Sequence, residues 1–149
     1  VCISSDPDKK PFDVTLNLVP MDITLGIGCK RDTDPAKLRS FVRRILEEDG
    51  IAPERISAIA SIDLKKDEKA ILDLARALRS PVSFHSAEEL NSLQGEFSRS
   101  EFVNRITSVD CVCERSAVIA GGVRFIRRKT AEDGMTIAIC ARTVEPRFL

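Results

Sequence analysis

The stretch Ile23-Thr24-Leu25-Gly26-Ile27-Gly28-Cys29-Lys30-Arg31-Asp32-Thr33-Asp34-Pro35 decides the fold. Its first seven residues, Ile23 to Cys29, form an apolar run of strand length that suits a strand covered on both faces. Its end holds Asp34-Pro35, an N-cap residue followed by proline at the first helical position. A helix is therefore expected directly after the strand. Leu38, Phe41, Val42, Ile45 and Leu46 recur at i, i+3, i+4, i+7 and i+8, one apolar helix face. Gly50 stands where a C-terminal stop belongs.

The same alternation continues downstream. Arg55 to Ile62 is a second strand, and Asp67 is placed to cap a second helix with Ala70, Ile71, Leu74, Ala75 and Leu78 as its stripe. Pro81 prevents continuation, and Val82-Ser83-Phe84 is a short third strand. Ser86 with Glu89 makes a capping box for a short helix through Leu93. Phe102, Val103, Ile106 and Val109 form another stripe, resumed after Asp110 by Cys113 to Ala120 and broken at Gly121-Gly122. Val123 to Ile126 and Met135 to Ala141 read as a hairpin with Asp133-Gly134 in its connection. The order predicts an α/β fold, a three-layer α/β/α sandwich whose mostly parallel sheet carries an antiparallel hairpin near the C-terminus.

Residues 1–20 differ in character. Ser4 to Pro11 is polar and broken by proline, as a linker is, and Val14 to Leu18 alternates like a short edge strand ending at Pro20. This segment is expected to be a linker or the end of an upstream domain, with residues 21–149 as the domain proper. Val1 in place of Met fits a piece of a longer protein.

At 149 residues the chain has the size of one domain, and 43% hydrophobic residues exclude wholesale disorder. Lys+Arg 23 against Asp+Glu 23 gives net zero, so bulk charge makes no case for nucleic acid or an anionic membrane. With neither Trp nor Tyr, base-stacking platforms are disfavoured. No apolar run approaches the ~18 residues of a membrane span. Five cysteines form no disulfide framework, which points to a reducing cytoplasm.

Several clusters are candidates for chemistry. Gly26 and Gly28 end the first strand, a common ligand position in open α/β sheets. The third glycine of a dinucleotide fingerprint is replaced by Arg31, and no phosphate loop follows. The alternative is that the glycines admit a close neighbour in the fold. Cys29 beside Lys30 and Arg31 has the cations that lower a thiol pKa. Lys65, in the charged run Asp63 to Lys69, suits carboxylate binding or proton transfer, or simply a solvated helix start. His85, the only histidine, stands near Ser86 and Glu88. Cys111-Val112-Cys113 lacks the paired spacing of a zinc site, and no metal site is expected. Glu114 and Arg115 sit near the start of a helix, and Lys129 lies in a basic run beyond a short strand.

Taken together, Leu25-Gly26-Ile27-Gly28-Cys29-Lys30, Ser61 to Glu68, Phe84 with Ser86 to Leu90, Val109-Asp110 with Val112 to Ala117, Gly121-Gly122, and Lys129 before Met135-Thr136-Ile137-Ala138 recur in a known order. They resemble the C-terminal domain of the cobalamin-biosynthesis protein CbiG, shared with the stand-alone protein CobE, over about Met21 to Ala141. One departure is Cys111, where a small residue such as serine is expected.

The resemblance implies a three-layer fold and a role in corrin construction. Full-length members are cobalt-precorrin-5A hydrolases, which open a δ-lactone and release acetaldehyde to give cobalt-precorrin-5B. The implied partners are a cobalt-corrinoid or precorrin intermediate, upstream domains of the same protein and other enzymes of the cobalamin pathway. Neither nucleic acid nor membrane is implied, and no cofactor, because the macrocycle carries its own cobalt. Lactone opening needs a base and a stabiliser for the oxyanion, and the substrate's carboxylates suit Lys and Arg. The corresponding expectations are Glu114 or Glu68 as base, and Lys65 and Lys129 with Arg115 and Ser116 as substrate-binding groups. Gly26 and Gly28 would let backbone approach the ligand, and Cys29 would line the pocket as an alternative nucleophile. A non-catalytic corrinoid-binding or enzyme-docking module, and a dimerisation domain, are the competing readings.

Overall fold

The computed structural model describes residues 2–3, 17–18, 20–94, 97 and 111–142. Strands β1 (Cys2–Ile3) and β2 (Asn17–Leu18) form a small parallel pair of their own. There follow β3 (Ile23–Cys29), α1 (Pro35–Glu48), β4 (Ile56–Ile62), α2 (Lys69–Leu78), β5 (Val82–His85) and α3 (Ala87–Asn91). Then come α4 (Val112–Ile119), β6 (Arg124–Glu132) and β7 (Met135–Ala141). The main sheet has the order β5-β4-β3-β7-β6. β3, β4 and β5 are parallel, and the β6–β7 hairpin joins antiparallel through β7 against β3.

The two faces of β3 are built differently. Ile23, Leu25, Ile27 and Cys29 point into a large cluster formed with α1 and α2, where Leu38, Phe41, Val42, Ile45, Ala70, Ile71 and Leu74 are buried. The alternate residues Thr24, Gly26 and Gly28 lie under α4 or at its margin. Gly26 is paired with Ala60 of β4 and Ala138 of β7, so three small residues lie side by side across the sheet. A Cβ on Gly26 would stand 1.7 Å from the Cys113 carbonyl oxygen. The seat is that shallow because α4 rests its backbone on it. Thr24 Oγ1 donates to the Ala117 carbonyl at 2.8 Å, which fixes the helix along the strand. This gives the three-layer arrangement expected from the sequence, with α1 and α2 on one side and α4 on the other.

Local chemistry explains the element ends. Asp34 accepts from the Ala36 N–H at 3.0 Å with Pro35 at the first position, as expected. Gly50 has φ +65 and ends α1. Asp133 and Gly134 both have positive φ (49 and 77), the backbone of a tight hairpin turn. Three expectations need correction. Asp67 does not cap α2, because the single 3-10 turn Asp63–Lys65 moves the helix start to Lys69 with Glu68 before it. Ser86 does cap α3 by accepting from Glu89 N–H at 3.1 Å, but the Glu89 carboxylate goes to His85, and the helix ends at Asn91. β6 extends to Glu132, so Lys129 lies inside a strand. Two register shifts along β6 keep its polar run paired with apolar β7. The stripe Phe102 to Val109, Val14 to Leu16 and the polar run 4–11 lie outside the described residues.

Candidate functional site

The parallel strands end together, at Cys29, Ile62 and His85. Loops after such strand ends are the usual ligand position of an open α/β sheet. The turn Asp63–Lys65 packs against β5 at this edge. Lys65 and Glu68 both reach the Cys29 thiol electrostatically, and Glu68 Oε2 accepts from the Asp32 N–H at 3.4 Å. Cys29, at the end of β3, and Lys65 and Glu68, both in the connection from β4 to α2, are thus brought to one place.

The thiol there is not activated. Burial is the largest influence on Cys29 and raises its pKa, and Glu68 adds to the rise. The Thr33 hydrogen bond and the Lys65 charge pull the other way and lose. A thiol 8% exposed and held protonated is a poor nucleophile. Cys29 is a wall of the edge.

The residues around α4 form a separate, closed cluster. Glu114 is 0% exposed, and its Oε1 accepts from the Lys129 backbone N–H at 2.9 Å. Its Oε2 lies 3.5 Å from an Arg128 guanidinium nitrogen. This carboxylate therefore ties α4 to β6 rather than facing a substrate as base. Arg115 donates to the carbonyls of Leu90 and Leu93 (2.9 and 3.3 Å) and stacks over Phe97, so it clamps the chain after α3. Ser116 is fully buried, and its hydroxyl has no partner among the described residues. Gly26 is covered by α4, so the backbone it admits is that helix and not a ligand. At Gly28 the nearest obstruction is only the Thr136 hydroxyl. Lys129 stays half-buried, and its charge helps lower the Cys111 pKa. The larger cause there is the hydrogen bond with Cys113, whose sulfur is 3.9 Å away.

The basic run is spent mainly on the fold. Arg127 holds Asp49 at 2.7 and 2.8 Å, and Glu48 at 3.3 Å, at the C-terminal end of α1. A cavity of about 200 Å³ lies between α4 and β6, with Arg124, Arg128 and Phe125 among its walls. A more open hollow of about 390 Å³ lies beside the start of α1, walled by Lys37, Arg44 and Glu132. Neither includes the strand-end group of Lys65 and Glu68, both of which are partly buried.

One cluster differs from the sequence expectation. His85 Nε2 is 2.9 Å from Ser83 Oγ, and its Nδ1 is 2.9 Å from Glu89 Oε2. Ser86 and Glu88 were the expected neighbours. The spacing rules could have found the real ones: i−2 shares a strand face, and i+4 shares the turn of the following helix.

Among the described residues no helix is long and apolar enough to cross a membrane, and no cluster of His, Cys, Asp and Glu is arranged to hold a metal.

Comparison with known proteins places this geometry. The chain is 31% identical over 140 residues to the cobalt-precorrin-5A hydrolase of Salmonella typhimurium, covering 93% of this chain and 40% of that protein. It is 33% identical over 104 residues to protein CobE of a Sinorhizobium species, covering 67% of this chain and 66% of CobE. The crystal structure of a CobE from the cobalamin pathway superposes with a TM-score of 0.73 at 30% identity, over 83% of this chain and 92% of that one. The chain spans between 33% and 44% of the length of the hydrolases it matches. The family model described as the cobalamin synthesis G C-terminus matches residues 23–140, from the first residue of β3 to the penultimate residue of β7, and the chain belongs to that family.

Proposed function

We propose that the chain is the C-terminal domain of a cobalt-precorrin-5A hydrolase acting in cobalamin biosynthesis, working in the cytoplasm with domains that precede it. The observation that carries this reading is the match along 93% of the chain to a protein of that name. The reaction would open the δ-lactone and release acetaldehyde. The strand-end edge supplies groups of the right kind. Lys65 is a cation for a substrate carboxylate or the lactone oxyanion, and Glu68 is a carboxylate that can accept a proton. The cobalt would arrive in the macrocycle, so the domain needs no metal of its own.

Incubation with cobalt-precorrin-5A tests the reading, with the chain alone and with the domains that precede it in full-length relatives. Acetaldehyde is followed by coupled reduction to ethanol and the macrocycle by its visible spectrum. Acetaldehyde release that requires this domain supports the reading; release unchanged without it refutes the reading. A second reading is a non-catalytic corrinoid-binding or docking module. It is favoured by the superposition on CobE, a whole chain of similar extent, 92% of which is covered. A spectral shift without acetaldehyde in either setting would select it.

A further inference from the structure

The hydrogen-bonded chain Ser83–His85–Glu89 has the connectivity of a nucleophile, a base and an orienting carboxylate. We propose that it is an acylatable site that opens carboxylic esters through Ser83, with the lactone above as its substrate. The choice of lactone rests on the proposed function, and the reactivity of Ser83 does not.

The geometry follows from the strand-to-helix change. Ser83 and His85 are two apart in β5, so both side chains stand on one face of the sheet. Glu89 is four beyond His85, and its backbone is held because its N–H donates to the Ser86 hydroxyl at 3.1 Å. The carboxylate of Glu89 accepts from Nδ1–H of His85 at 2.9 Å. That contact assigns the proton to Nδ1 and leaves the Nε2 lone pair for the Ser83 hydroxyl at 2.9 Å. A His–Glu pair alone at this spacing would be a surface contact of little value. Ser83 on the opposite ring nitrogen turns it into a directed proton path.

The surroundings are accessible. β5 is an end strand of the main sheet, the His85 side chain is 20% exposed and that of Glu89 56%. Ile59 donates to the Pro81 carbonyl, and this parallel register turns the Ser83 and His85 amides toward β4. The Phe84 amide, next after the nucleophile, points away from β4 on the edge side of the sheet, where it would be the donor to an oxyanion. The turn bearing Lys65 packs against the same strand.

The step balances without an added reagent other than water. Ser83 Oγ bonds to the acyl carbon as its proton passes to His85 Nε2. The alkoxide leaves with that proton, and in a lactone it stays tethered to the acyl group. Water, deprotonated by His85, then attacks the acyl-serine. The carboxylate product is released and Ser83 recovers its proton. Glu89 acts through His85 and is a positioning residue.

The test is labelling of the intact chain with a fluorophosphonate probe, located by peptide mass spectrometry. The expected result is an adduct on Ser83, absent in Ser83→Ala, formed at least tenfold more slowly in His85→Gln and severalfold more slowly in Glu89→Gln. Circular dichroism melting of each variant separates loss of reactivity from loss of fold. Absence of a Ser83 adduct in the wild type, or an equal rate in folded His85→Gln, overturns the proposal. A Ser83 adduct with no turnover of cobalt-precorrin-5A leaves the site standing and removes the lactone as substrate. Full acetaldehyde release by Ser83→Ala in the multidomain enzyme removes the relay from that reaction and leaves the proposed function intact.

Discussion

Gly26→Ala and Gly28→Ala make the same chemical change two residues apart on one face of β3, and they should differ sharply. A methyl on Gly26 meets the Cys113 carbonyl oxygen at 1.7 Å and the Ala117 nitrogen at 2.6 Å. Both are backbone of α4 and neither can swing aside. The helix would have to rise by about 1.5 Å to restore a normal carbon–oxygen contact near 3.3 Å. That movement stretches the buried Thr24-to-Ala117 bond beyond use, at about 1 kcal/mol, and overpacking adds about 1–3 kcal/mol. The expected loss is about 3 kcal/mol, a large part of the stability of an ordinary domain. At Gly28 the methyl meets only the Thr136 hydroxyl at 2.5 Å, and that side chain can rotate. The expected loss there is about 1 kcal/mol or less. Urea titration followed by circular dichroism measures both, since the chain has no Trp or Tyr to report by fluorescence. In melting temperature, Gly26→Ala should fall by roughly 6–12 °C and Gly28→Ala by a few degrees. A Gly26→Ala protein as stable as the wild type, yet defective in corrinoid binding, would refute the packing account and restore a ligand contact at this glycine.

Three further outcomes follow from the described contacts. Glu114→Ala strands the part-buried Lys129 N–H and removes a charge partner of Arg128, so chemical denaturation should show a loss of about 3 kcal/mol, with Glu114→Gln losing less than half as much; equal effects would mean that charge, and not the hydrogen bond, is what matters. Burial pushes the Cys140 thiol up to about 11. The folded state therefore keeps a proton that the unfolded state releases near pH 9, and stability should fall between pH 9 and 11 by about 2 kcal/mol. Cys140→Ala should flatten that part of the profile, and an unchanged slope would contradict the assignment. Lys65→Ala should weaken corrinoid binding, read by spectral titration, by about tenfold with the melting temperature unchanged, and intact binding and turnover together would remove Lys65 from the site.

Much of the fold was legible because local chemistry and periodicity agreed. Asp34-Pro35, the α1 stripe and the Asp133-Gly134 turn each point to one structure, and each appears. Asp67 misled because two acidic residues stand before α2, and the preceding 3-10 turn decides which is last. β6 was cut short because an edge strand can be polar, and Arg127 to Glu132 carries no apolar alternation. The site was harder to read for a different reason. Glu114, Arg115 and Gly26 are types that bind ligands, but the same properties serve a buried tie, a carbonyl clamp and a close packing contact. Only burial and partners separate the two uses. Lys65 and Glu68 fall beside Cys29 because the ends of parallel strands come together by topology alone. The partners of His85 lie along the strand and around the next helical turn, at Ser83 and Glu89, so adjacency in sequence points to the wrong residues.

The unequal faces of β3 have a mechanical consequence. α4 touches the sheet backbone to backbone at Gly26, which Ala60 and Ala138 flank across the sheet, whereas α1 and α2 meet it through a full layer of Ile, Leu, Val and Phe side chains. A layer of side chains can re-pack as helices slide by an ångström or two, and a backbone seat cannot. A rearrangement on binding the proposed corrinoid ligand would then appear as shear of α1 and α2 over a rigid unit of sheet and α4. The β5 edge and α3 would stay with that unit, while the connections that lead into α1 and α2 adjust with the opposite layer.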